Sequence, residues 1–308
     1  MKKAFFTLLF LLVLGAAAFG VAAYMTPPPP KPPVLPPPPE TKALSVSLID
    51  GTTGKIIAGK DGEKRVNPAS TTKILTCIIA LEEGEAKLGQ NIIVSPRAMA
   101  QDGTNLGVRP DMPLALGEML HGMMLVSGND AAVAAAETVG GSYDRFIAMM
   151  NEKAKTIGAV HSHFANPNGL TSPDHYVTAD DMAKIAVYAM KNPKFRKIVA
   201  EKTYPMTYRD GMYRIVENRN EFLKSGYAGA NGIKTGMTDA AGECLVASAE
   251  RDGELMIVAL YDDKNRWKET GPWLDYGFAA VAAEKRYEAE KAAEPAFYRW
   301  MNEMLGRE

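Results

Sequence analysis

An apolar run between Pro68 and Gly84 places the strongest constraint on the fold of this chain. Residues 74–81 read Ile-Leu-Thr-Cys-Ile-Ile-Ala-Leu, with a threonine as the only strongly polar side chain. A proline just before such a run and a glycine just after it are typical of the first turn and the C-cap of a helix. Because this helix would be apolar on almost every side, we expect it to lie in the core of a domain.

Two polar residues, Ser70 and Lys73, fall in the first turn of this predicted helix. They are three positions apart, so their side chains share one face. Burying a lysine is costly unless its amine is paired or neutral. A desolvated amine loses proton affinity and can accept the proton of a neighbouring hydroxyl, which makes the serine a nucleophile. The structural alternative is that Ser70 caps the helix and Lys73 extends to the surface.

The composition is that of an ordinary globular protein. The 308 residues are 46% hydrophobic and 23% charged, with a formal net charge of −1, so nothing argues for nucleic-acid binding. A chain of this length can bury one large core or two modest ones. The two cysteines, Cys77 and Cys244, are too few for a disulfide framework, and the sequence leaves open whether they form a bridge.

The sequence predicts neither a metal site nor a cofactor. No phosphate-binding loop or dinucleotide fingerprint occurs. Two of the four histidines are close together, but the acidic–histidine pattern of a metallopeptidase does not accompany them. Surface or turn positions are the better interpretation of all four. The four are His121, His161, His163 and His175.

The N-terminal segment predicts export from the cytoplasm. Lys2 and Lys3 precede an uncharged, mostly apolar run over residues 4–25, which would span roughly 30 Å as a helix, about one hydrocarbon core. The small residues Val21-Ala22-Ala23 suit cleavage of a signal peptide, whereas retention would make residues 1–26 a membrane anchor. Both interpretations keep the two lysines inside and place the remainder of the chain outside the cytoplasm.

A proline-rich linker follows over residues 27–41. Ten of the thirteen residues from Pro27 to Pro39 are proline. Such a tract forms a stiff, extended spacer of about 3.1 Å per residue, roughly 40 Å in all. A spacer directly after the apolar run favours retention of that run as an anchor, since the spacer would hold the next domain away from the membrane.

The remaining pattern predicts an α/β fold of the α+β type. Strand patterns with intervening turns occur at both ends of this region, and residues 85–225 between them are mainly helical. We therefore expect an antiparallel sheet that is closed by the two chain ends and flanked by helices, with a mainly helical second lobe. The predicted strands cover residues 44–50, 55–58, 244–248 and 255–260. The predicted helices after the first cover residues 114–126, 130–139, 143–157, 179–191 and 272–283.

The C-terminal tail, residues 283–308, carries a last helical pattern. Apolar residues recur there at i, i+3, i+4, i+7 and i+8, namely Phe297, Trp300, Met301, Met304 and Leu305. Two interpretations stay open: this amphipathic face lies on a membrane, or it packs against its own domain. The balanced charges around it provide no basic attraction to lipid.

Two polar tripeptides follow the Ser70 helix. Ser127-Gly128-Asn129 falls between predicted helices, where a glycine-containing loop can direct short polar side chains into a cleft. Lys234-Thr235-Gly236 enters the strand region, where its glycine permits a close backbone approach. Each tripeptide alone is frequent by chance. S-x-x-K, S-x-N and K-T-G in this order are the signature set of penicillin-interacting serine enzymes.

On these motifs the chain resembles the D-alanyl-D-alanine carboxypeptidases, the low-molecular-mass penicillin-binding proteins. The resemblance implies a domain over residues 42–282 with a β-lactamase/transpeptidase-like fold. It also implies a serine-type carboxypeptidase that trims D-Ala-D-Ala ends of peptidoglycan stem peptides, with β-lactams as covalent inhibitors and no cofactor. Further stretches that carry the likeness are residues 68–73, 125–132, 164–170, 180–183, 231–236, 241–242 and 274–278.

The resemblance assigns the catalytic roles residue by residue. Ser70 would be the nucleophile, and Lys73 its base, kept partly neutral by burial and by the charge of Lys234. Ser127 would relay a proton to the departing amine. The oxyanion hole would use the backbone N–H groups of Ser70 and Met237, so the side chain of Met237 would matter little.

Five residues are implied in substrate binding. Asn129 would hold the substrate amide. Lys234 and Thr235 would bind the terminal carboxylate, and Gly236 would let the substrate backbone approach the strand. Arg266 is a secondary candidate for the carboxylate, at a position where the family carries such an arginine.

Three alternatives share this site or fold. A D,D-endopeptidase would cleave cross-links with the same residues. A non-catalytic penicillin-binding sensor is disfavoured because Ser70 and Lys73 are both intact. A class A β-lactamase needs a glutamate-held water on a loop between the second and third motifs, and residues 166–170 in that region contain no glutamate.

Overall fold

The computed structural model describes residues 2–307, which form two compact units. The larger unit comprises Pro37–Phe278, and the smaller unit comprises the described residues before and after it. All three motifs fall in the larger unit. The candidate site can therefore be described within a single unit.

The larger unit contains a five-stranded antiparallel sheet and a separate two-stranded hairpin. The described strands are β1 (Ser45–Asp50), β2 (Ile56–Lys60), β3 (Thr203–Thr207), β4 (Tyr213–Glu217), β5 (Ala230–Thr238), β6 (Gly242–Arg251) and β7 (Glu254–Tyr261). The larger sheet has the order β2-β1-β7-β6-β5. Strand β1 from the start of the unit pairs with β7 near its end, with Ser45 opposite Tyr261, so the predicted closure by the chain ends is confirmed.

Helices cover the region between the two groups of sheet strands. The described α-helices are α1 (Lys2–Met25), α2 (Lys73–Glu83), α3 (Pro96–Met99), α4 (Leu116–Val126), α5 (Asn129–Gly140), α6 (Tyr143–Ile157), α7 (Ala179–Met190), α8 (Pro193–Ala200), α9 (Glu221–Lys224), α10 (Arg266–Ala293) and α11 (Ala296–Met304). Side-chain caps define several starts, since Ser142, Thr178 and Asn192 each accept a hydrogen bond from a backbone N–H of the following turn. The predicted fold class is confirmed.

Helix α2 lies at the centre of the core, as its apolar sequence predicts. Every residue from Lys73 to Leu81 is buried, and the helix packs against α4, α5, α6, α7 and α8. It ends at Gly84, where a Cβ atom would lie 2.4 Å from the carbonyl oxygen of Ala80. The glycine is therefore required by a close backbone approach at the C-cap.

The start of α2 differs from the prediction in one useful respect. Residues Ala69–Thr72 form a 3₁₀ turn, and the α-helix itself begins at Lys73. A 3₁₀ turn has three residues per turn, so side chains at i and i+3 eclipse each other. Ser70 and Lys73 are therefore aligned more closely than two residues of an α-helix would be.

The hairpin β3–β4 was missed within the region predicted as mainly helical. Its strands are five residues long, and few of their side chains are buried, so no strong alternation marks them. Asp210-Gly211 lies in the turn, and Gly211 has a φ of +86°. That Asp-Gly pair is the hairpin signal that was available in the sequence.

Helix α10 begins at Arg266, six residues earlier than the start predicted at Pro272. The Asp263 carboxylate accepts a hydrogen bond from the N–H of Asn265, and the Asn265 carbonyl accepts one from Glu269. These bonds form the first turn before the proline. Pro272 lies inside the helix, although proline removes one backbone hydrogen bond there.

The two cysteines are free and buried, so the bridge that the sequence left open does not form. Cys77 lies in α2 and Cys244 in β6. Burial raises the pKa of the Cys77 thiol, and it raises that of Cys244 to about 12. Both thiols therefore act as small apolar core groups.

In the smaller unit, α1 is 24 residues long with a mean hydropathy of 2.5, and none of its apolar window is buried. By length and composition it can span a membrane, which a signal sequence can also do. Helix α11 occupies the position of the last predicted helical pattern. The proline tract between α1 and the larger unit has no regular secondary structure assigned to it.

Candidate active site

Ser70 and Lys73 meet at the start of α2. The Lys73 Nζ atom donates a hydrogen bond to Ser70 Oγ over 3.0 Å. Ser70 is half-buried, whereas Lys73 is 0% exposed. Ser70 thus retains some exposure, while the amine that contacts its hydroxyl is withdrawn from water. This contact confirms that Lys73 does not extend to the surface.

Two further acceptors surround the Lys73 amine. Asn129 Oδ1 and the backbone carbonyl of Asn168 each lie 2.7 Å from Nζ. The Asn129 amide group also donates from Nδ2 to the carbonyl of Asp102. Its predicted role in holding a substrate amide stays a prediction, and the structure adds a second role in fixing Lys73.

The environment of Lys73 disfavours its charged form. Burial holds the pKa of Lys73 well below its usual range, and the positive charge of Lys234 lowers that pKa further. Asp130 acts in the opposite direction and Arg219 in the same direction, both as smaller contributions. None of the three hydrogen-bond acceptors is a carboxylate, so no ion pair holds the proton on the amine.

The second motif comes from the junction of α4 and α5. Ser127 is the C-cap of α4 and has a φ of +73°, an uncommon left-handed conformation for a residue with a side chain. The following Gly128 packs against Leu106, where a Cβ atom would lie 2.8 Å from the leucine side chain. The glycine next to Ser127 is therefore a packing requirement.

The third motif lies in β5, an edge strand of the sheet. Lys234 is 2% exposed and donates a hydrogen bond from Nζ to Ser127 Oγ over 3.0 Å and another to the Thr235 carbonyl. Burial lowers the pKa of Lys234 to about 7, with further contributions from the charges of Arg219 and Arg266. The two buried lysines thus bind the two motif serines separately.

Two glycines allow β5 and a loop to approach Ser70. A Cβ atom at Gly236 would lie 3.0 Å from the backbone nitrogen of Ser70. Gly169 has a φ of +91°, and a Cβ atom there would lie 1.8 Å from the carbonyl oxygen of Ala69. The strand and the loop around Asn168 therefore enclose the 3₁₀ turn from two directions. Gly236 serves this internal approach, in addition to the predicted approach of substrate.

Arg266 lies beside the third motif, and its role in binding the carboxylate stays a prediction. Its Nη1 donates to the Gly236 carbonyl over 3.2 Å and lies 3.4 Å from a Glu243 oxygen. Thr235 is half-buried. The side chain of Met237 is 68% exposed next to the cleft. The site residues Ser70, Lys73, Ser127, Asn129, Lys234, Thr235, Gly236, Met237 and Arg266 are thus held on adjoining elements.

Three groups around the site were missed by the sequence analysis. Asn168 supplies a carbonyl to Lys73, and Asp130 accepts hydrogen bonds from the N–H groups of Leu106, Gly107 and Val108. Arg219 donates to the Thr104 hydroxyl. Asn168 and Asp130 lie in stretches that carried the family likeness, which was an available signal. Arg219 belongs to no motif, so no sequence signal marked it.

The histidines take no part in a metal site. Within residues 2–307, no group of three or more potential ligands among His, Cys, Asp and Glu is close enough to hold a metal ion. His175 is buried, accepts a hydrogen bond from the N–H of Ala165 and contacts the Thr72 hydroxyl. Burial lowers the pKa of His175 to about 4, so this ring is a neutral part of the support below Ser70.

Comparison with known proteins assigns the chain to a family. The family model for D-alanyl-D-alanine carboxypeptidase, peptidase S11, matches residues 33–265. D-alanyl-D-alanine carboxypeptidase DacF of Bacillus subtilis is 34% identical over 253 residues, which cover 80% of this chain and 64% of that protein. D-alanyl-D-alanine carboxypeptidase DacB2 of Mycobacterium tuberculosis is also 34% identical, over 75% of this chain and 80% of its own length.

A solved structure shows the same architecture. The crystal structure of the Streptomyces K15 DD-transpeptidase superposes with a TM-score of 0.73 at 29% identity, covering 79% of this chain and all of that one. The chain therefore belongs to the D-alanyl-D-alanine carboxypeptidase family, and the resemblance drawn from its motifs is confirmed. It spans a little under two thirds of the Bacillus subtilis relative.

Proposed function

We propose that this protein is a serine-type D-Ala-D-Ala carboxypeptidase that removes the terminal D-Ala from peptidoglycan stem peptides. The observation that carries the proposal is the 3.0 Å contact between the amine of the fully buried Lys73 and the hydroxyl of the half-buried Ser70. An amine whose pKa is lowered by burial is more readily available as a base than the amine of an ordinary lysine. Membership of the family supports the substrate class.

The first step is acylation of Ser70. Lys73 takes the hydroxyl proton as Oγ forms a bond to the carbonyl carbon of the penultimate D-Ala. The oxygen of that carbonyl gains negative charge, and the N–H groups of Ser70 and Met237 would stabilise it. Support for this pairing comes from Gly236, which brings the strand just before Met237 up to the Ser70 nitrogen.

Collapse of the intermediate releases the terminal residue. The bond between the carbonyl carbon and the amide nitrogen breaks, and the nitrogen takes a proton as it leaves as the amine of D-Ala. Ser127 is the proposed relay, because a hydroxyl can donate one proton while it accepts another. Lys234 Nζ already donates to Ser127 Oγ, which orients that hydroxyl. Water then hydrolyses the ester, which restores Ser70 and completes the exchange of an amide for an acid and an amine.

The substrate carboxylate meets the basic side of the cleft. Lys234 would provide the charge and Thr235 the hydroxyl donor, with Arg266 bonded nearby to the Gly236 carbonyl. Asn129 would hold the substrate amide in addition to its hydrogen bond with Lys73. Acidic and neutral C-termini are therefore distinguished by the two cations around β5.

β-Lactams are proposed to acylate Ser70, because their strained amide and carboxylate occupy the same groups. The loop from Asn166 to Leu170 presents the Asn168 backbone carbonyl to Lys73, and it contains no glutamate to hold a hydrolytic water. The β-lactam ester is therefore expected to persist, which separates this protein from a class A β-lactamase.

The proposed placement is at the outer face of the cytoplasmic membrane. Retention of α1 as an anchor, the proline linker over residues 27–41, a peptidase domain over residues 42–282 and a helical tail over residues 283–308 make up this organisation. Support comes from the length and apolar composition of α1 and from the stiffness of a proline-rich spacer. Peptidoglycan substrates are found on that side.

The test incubates the full chain in detergent with a tripeptide ending in D-Ala-D-Ala and, separately, with a fluorescent penicillin. Wild type should release D-Ala and become covalently labelled, Ser70→Ala should do neither, and the exposed-serine control Ser225→Ala should match wild type. D-Ala release that persists in Ser70→Ala contradicts the proposal. Labelling without D-Ala release indicates a sensor, and cleavage of a cross-linked peptide dimer without D-Ala release indicates an endopeptidase.

A further inference from the structure

The end of the proline-rich linker is bonded to the first turn of helix α10. Thr41 Oγ1 donates a hydrogen bond to Glu269 Oε2, across 228 positions of the chain. The backbone N–H of Lys42 donates to the other carboxylate oxygen, Glu269 Oε1, over 3.4 Å. Both oxygens of this carboxylate therefore bind the short segment between the linker and strand β1.

That segment is also fixed from the sheet. Lys60 Nζ in β2 donates to the carbonyls of Thr41 and Ala43 over 3.4 and 2.8 Å. The backbone N–H of Ala43 donates to Thr41 Oγ1 over 3.0 Å, and the N–H of Leu44 donates to the Tyr261 carbonyl over 2.9 Å. Since two strands hold the segment, it gives Glu269 a fixed point of attachment.

The turn that carries Glu269 also carries Arg266. Helix α10 begins at Arg266, and Glu269 lies three residues later in the same turn. Arg266 Nη1 donates to the Gly236 carbonyl over 3.2 Å in the third motif. Its Nε atom is buried and has no hydrogen-bond acceptor within residues 2–307. The position of the guanidinium therefore depends strongly on the backbone turn that holds it.

Asp263 connects Glu269 with this turn. Its side chain is 0% exposed; Oδ1 accepts from the N–H of Asn265, whereas Oδ2 is buried and has no donor among the described residues. Burial raises the pKa of Asp263; the Asn265 hydrogen bond lowers it, and the Glu269 carboxyl raises it again by its charge and by a hydrogen bond. A proton held between the two carboxyl groups gives Oδ2 the partner it lacks. An uncharged Asp263 does not compete with a substrate carboxylate for Arg266.

We propose that Glu269 is a positioning residue that joins the end of the linker to the first turn of α10 and thereby holds Arg266 in place for the terminal carboxylate of the substrate. Thr41 is the contact on the linker side, and Asp263 is the contact on the helix side. The proposal rests on the proposed function, in which Arg266 meets that carboxylate. The end of the linker is then part of the substrate-binding region in addition to being a spacer.

The test compares two substrates, because an acidic residue in a first helical turn also stabilises the helix. One is a tripeptide ending in D-Ala-D-Ala, and the other is the same peptide with a C-terminal amide in place of the carboxylate. The ratio of their kcat/KM values, measured by release of D-Ala or its amide from the full chain in detergent, reports carboxylate recognition. A loss of stability alone lowers both values and leaves the ratio unchanged.

Substitutions of Arg266 and Glu269 should lower this ratio. Arg266→Ala should lower it about tenfold or more, through the loss of a charge-assisted hydrogen bond. Glu269→Ala should lower it about fivefold, mainly by raising KM for the acid, because Arg266 is retained but less well placed. Glu284→Ala, which removes an exposed glutamate from the same helix, should match wild type.

Two milder variants follow the individual hydrogen bonds. Glu269→Gln should stay within about twofold of wild type, because its amide can accept from Thr41 and donate to Asp263. Thr41→Val keeps the shape of the side chain and removes the hydroxyl, so it should lower the ratio about twofold to threefold. If Glu269→Ala does not fold, Thr41→Val provides the same comparison. A Glu269→Gln variant as impaired as Glu269→Ala would overturn the assigned hydrogen bonds.

The double variant Arg266→Ala/Glu269→Ala decides whether Glu269 acts through Arg266. Its ratio should equal that of Arg266→Ala alone. A further decrease in the double variant, or an unchanged ratio in Glu269→Ala, would overturn the positioning role. An unchanged ratio in Arg266→Ala overturns it as well, while the proposed carboxypeptidase activity stands. No release of D-Ala by wild type contradicts the proposed function itself, and the positioning role falls with it.

Discussion

The two buried lysines of the candidate site, Lys73 and Lys234, are proposed to have different roles, one as a base and the other as a cation. Lys73 begins the core helix α2, and its amine lies within hydrogen-bond distance of Ser70, Asn129 and Asn168, while Lys234 lies in the edge strand β5 and donates to Ser127 and to its neighbouring carbonyl. Burial lowers the pKa of both amines. Neither has a carboxylate among these hydrogen-bond partners. Both sites therefore hold an amine whose charge is easily lost.

The difference lies in the neighbouring charges. The positive charge of Lys234 is the second-largest cause of the lowered pKa of Lys73, after burial. A protonated Lys234 therefore favours the neutral form of Lys73, which suits one amine to act as a base and the other as a cation. The comparison teaches that the charge of a neighbouring lysine, added to burial, favours the neutral form of the proposed base.

The largest expected effect comes from replacing each of the two lysines with arginine in turn. Lys73→Arg keeps the charge but cannot become neutral, so acylation by a labelled penicillin should fall about 10³-fold, the usual contribution of a general base. Lys234→Arg keeps a cation for the carboxylate and should cost about tenfold, equivalent to one weakened charged hydrogen bond. Stopped-flow acylation rates measure both. Equal losses in the two variants would remove the proposed division of roles.

The pH dependence should show the same division. Acylation requires neutral Lys73, so its rate rises with pH as that amine loses its proton. It also requires protonated Lys234, so the second-order rate constant should fall as pH rises through about 7, the lowered pKa of the free site. Lys234→Arg should retain the rise and lose the fall, because arginine stays charged. A wild-type rate that increases without a break to pH 10 contradicts this prediction.

Substitution of Arg219 should have the smallest effect, and it should act on both lysines, because the charge of Arg219 lowers the pKa of each. Arg219→Gln should therefore shift both limbs of the pH–rate profile to higher pH, by about 0.3–0.5 pH unit for the loss of one exposed and screened charge. Arg214→Gln is the matched control. Arg214 is also exposed and also binds the 104–108 loop, through the Leu106 carbonyl. A shift of the same size in both variants would assign the effect to the loop.

The local sequence predicted the Ser70–Lys73 pair because short-range geometry brings these two residues together. Ser70 and Lys73 are three positions apart, and a helical turn brings them together whatever the rest of the chain does. The burial of Lys73 followed from the apolar run after it. Antiparallel pairing of the strands followed from their short turns, and the structure shows it.

The features of the site and fold that the sequence did not predict depend on contacts between distant parts of the chain. The Asn168 carbonyl reaches Lys73 across 95 positions, and the Arg219 side chain reaches Thr104 across 115. No periodicity or turn signal specifies such pairs. The hairpin β3–β4 was missed for a related reason, since its exposed strands carry little alternation and it is placed by packing against α4. The start of α10 follows a turn in which the Asp263 carboxylate accepts a hydrogen bond from Asn265, whereas Pro272, six residues later, suggested a later start.

The central claim is that Lys73 is neutral in the free protein at the pH at which Ser70 reacts. Lysine labelled with ¹³C at the ε carbon, observed by NMR over pH 5–11 in the full chain in detergent, tests it most directly. The signal of Lys73 is assigned by its loss in Lys73→Arg. We predict that this signal titrates well below the usual midpoint of about 10.4 for lysine. A Lys73 signal that remains that of an ammonium up to pH 10 would contradict the account.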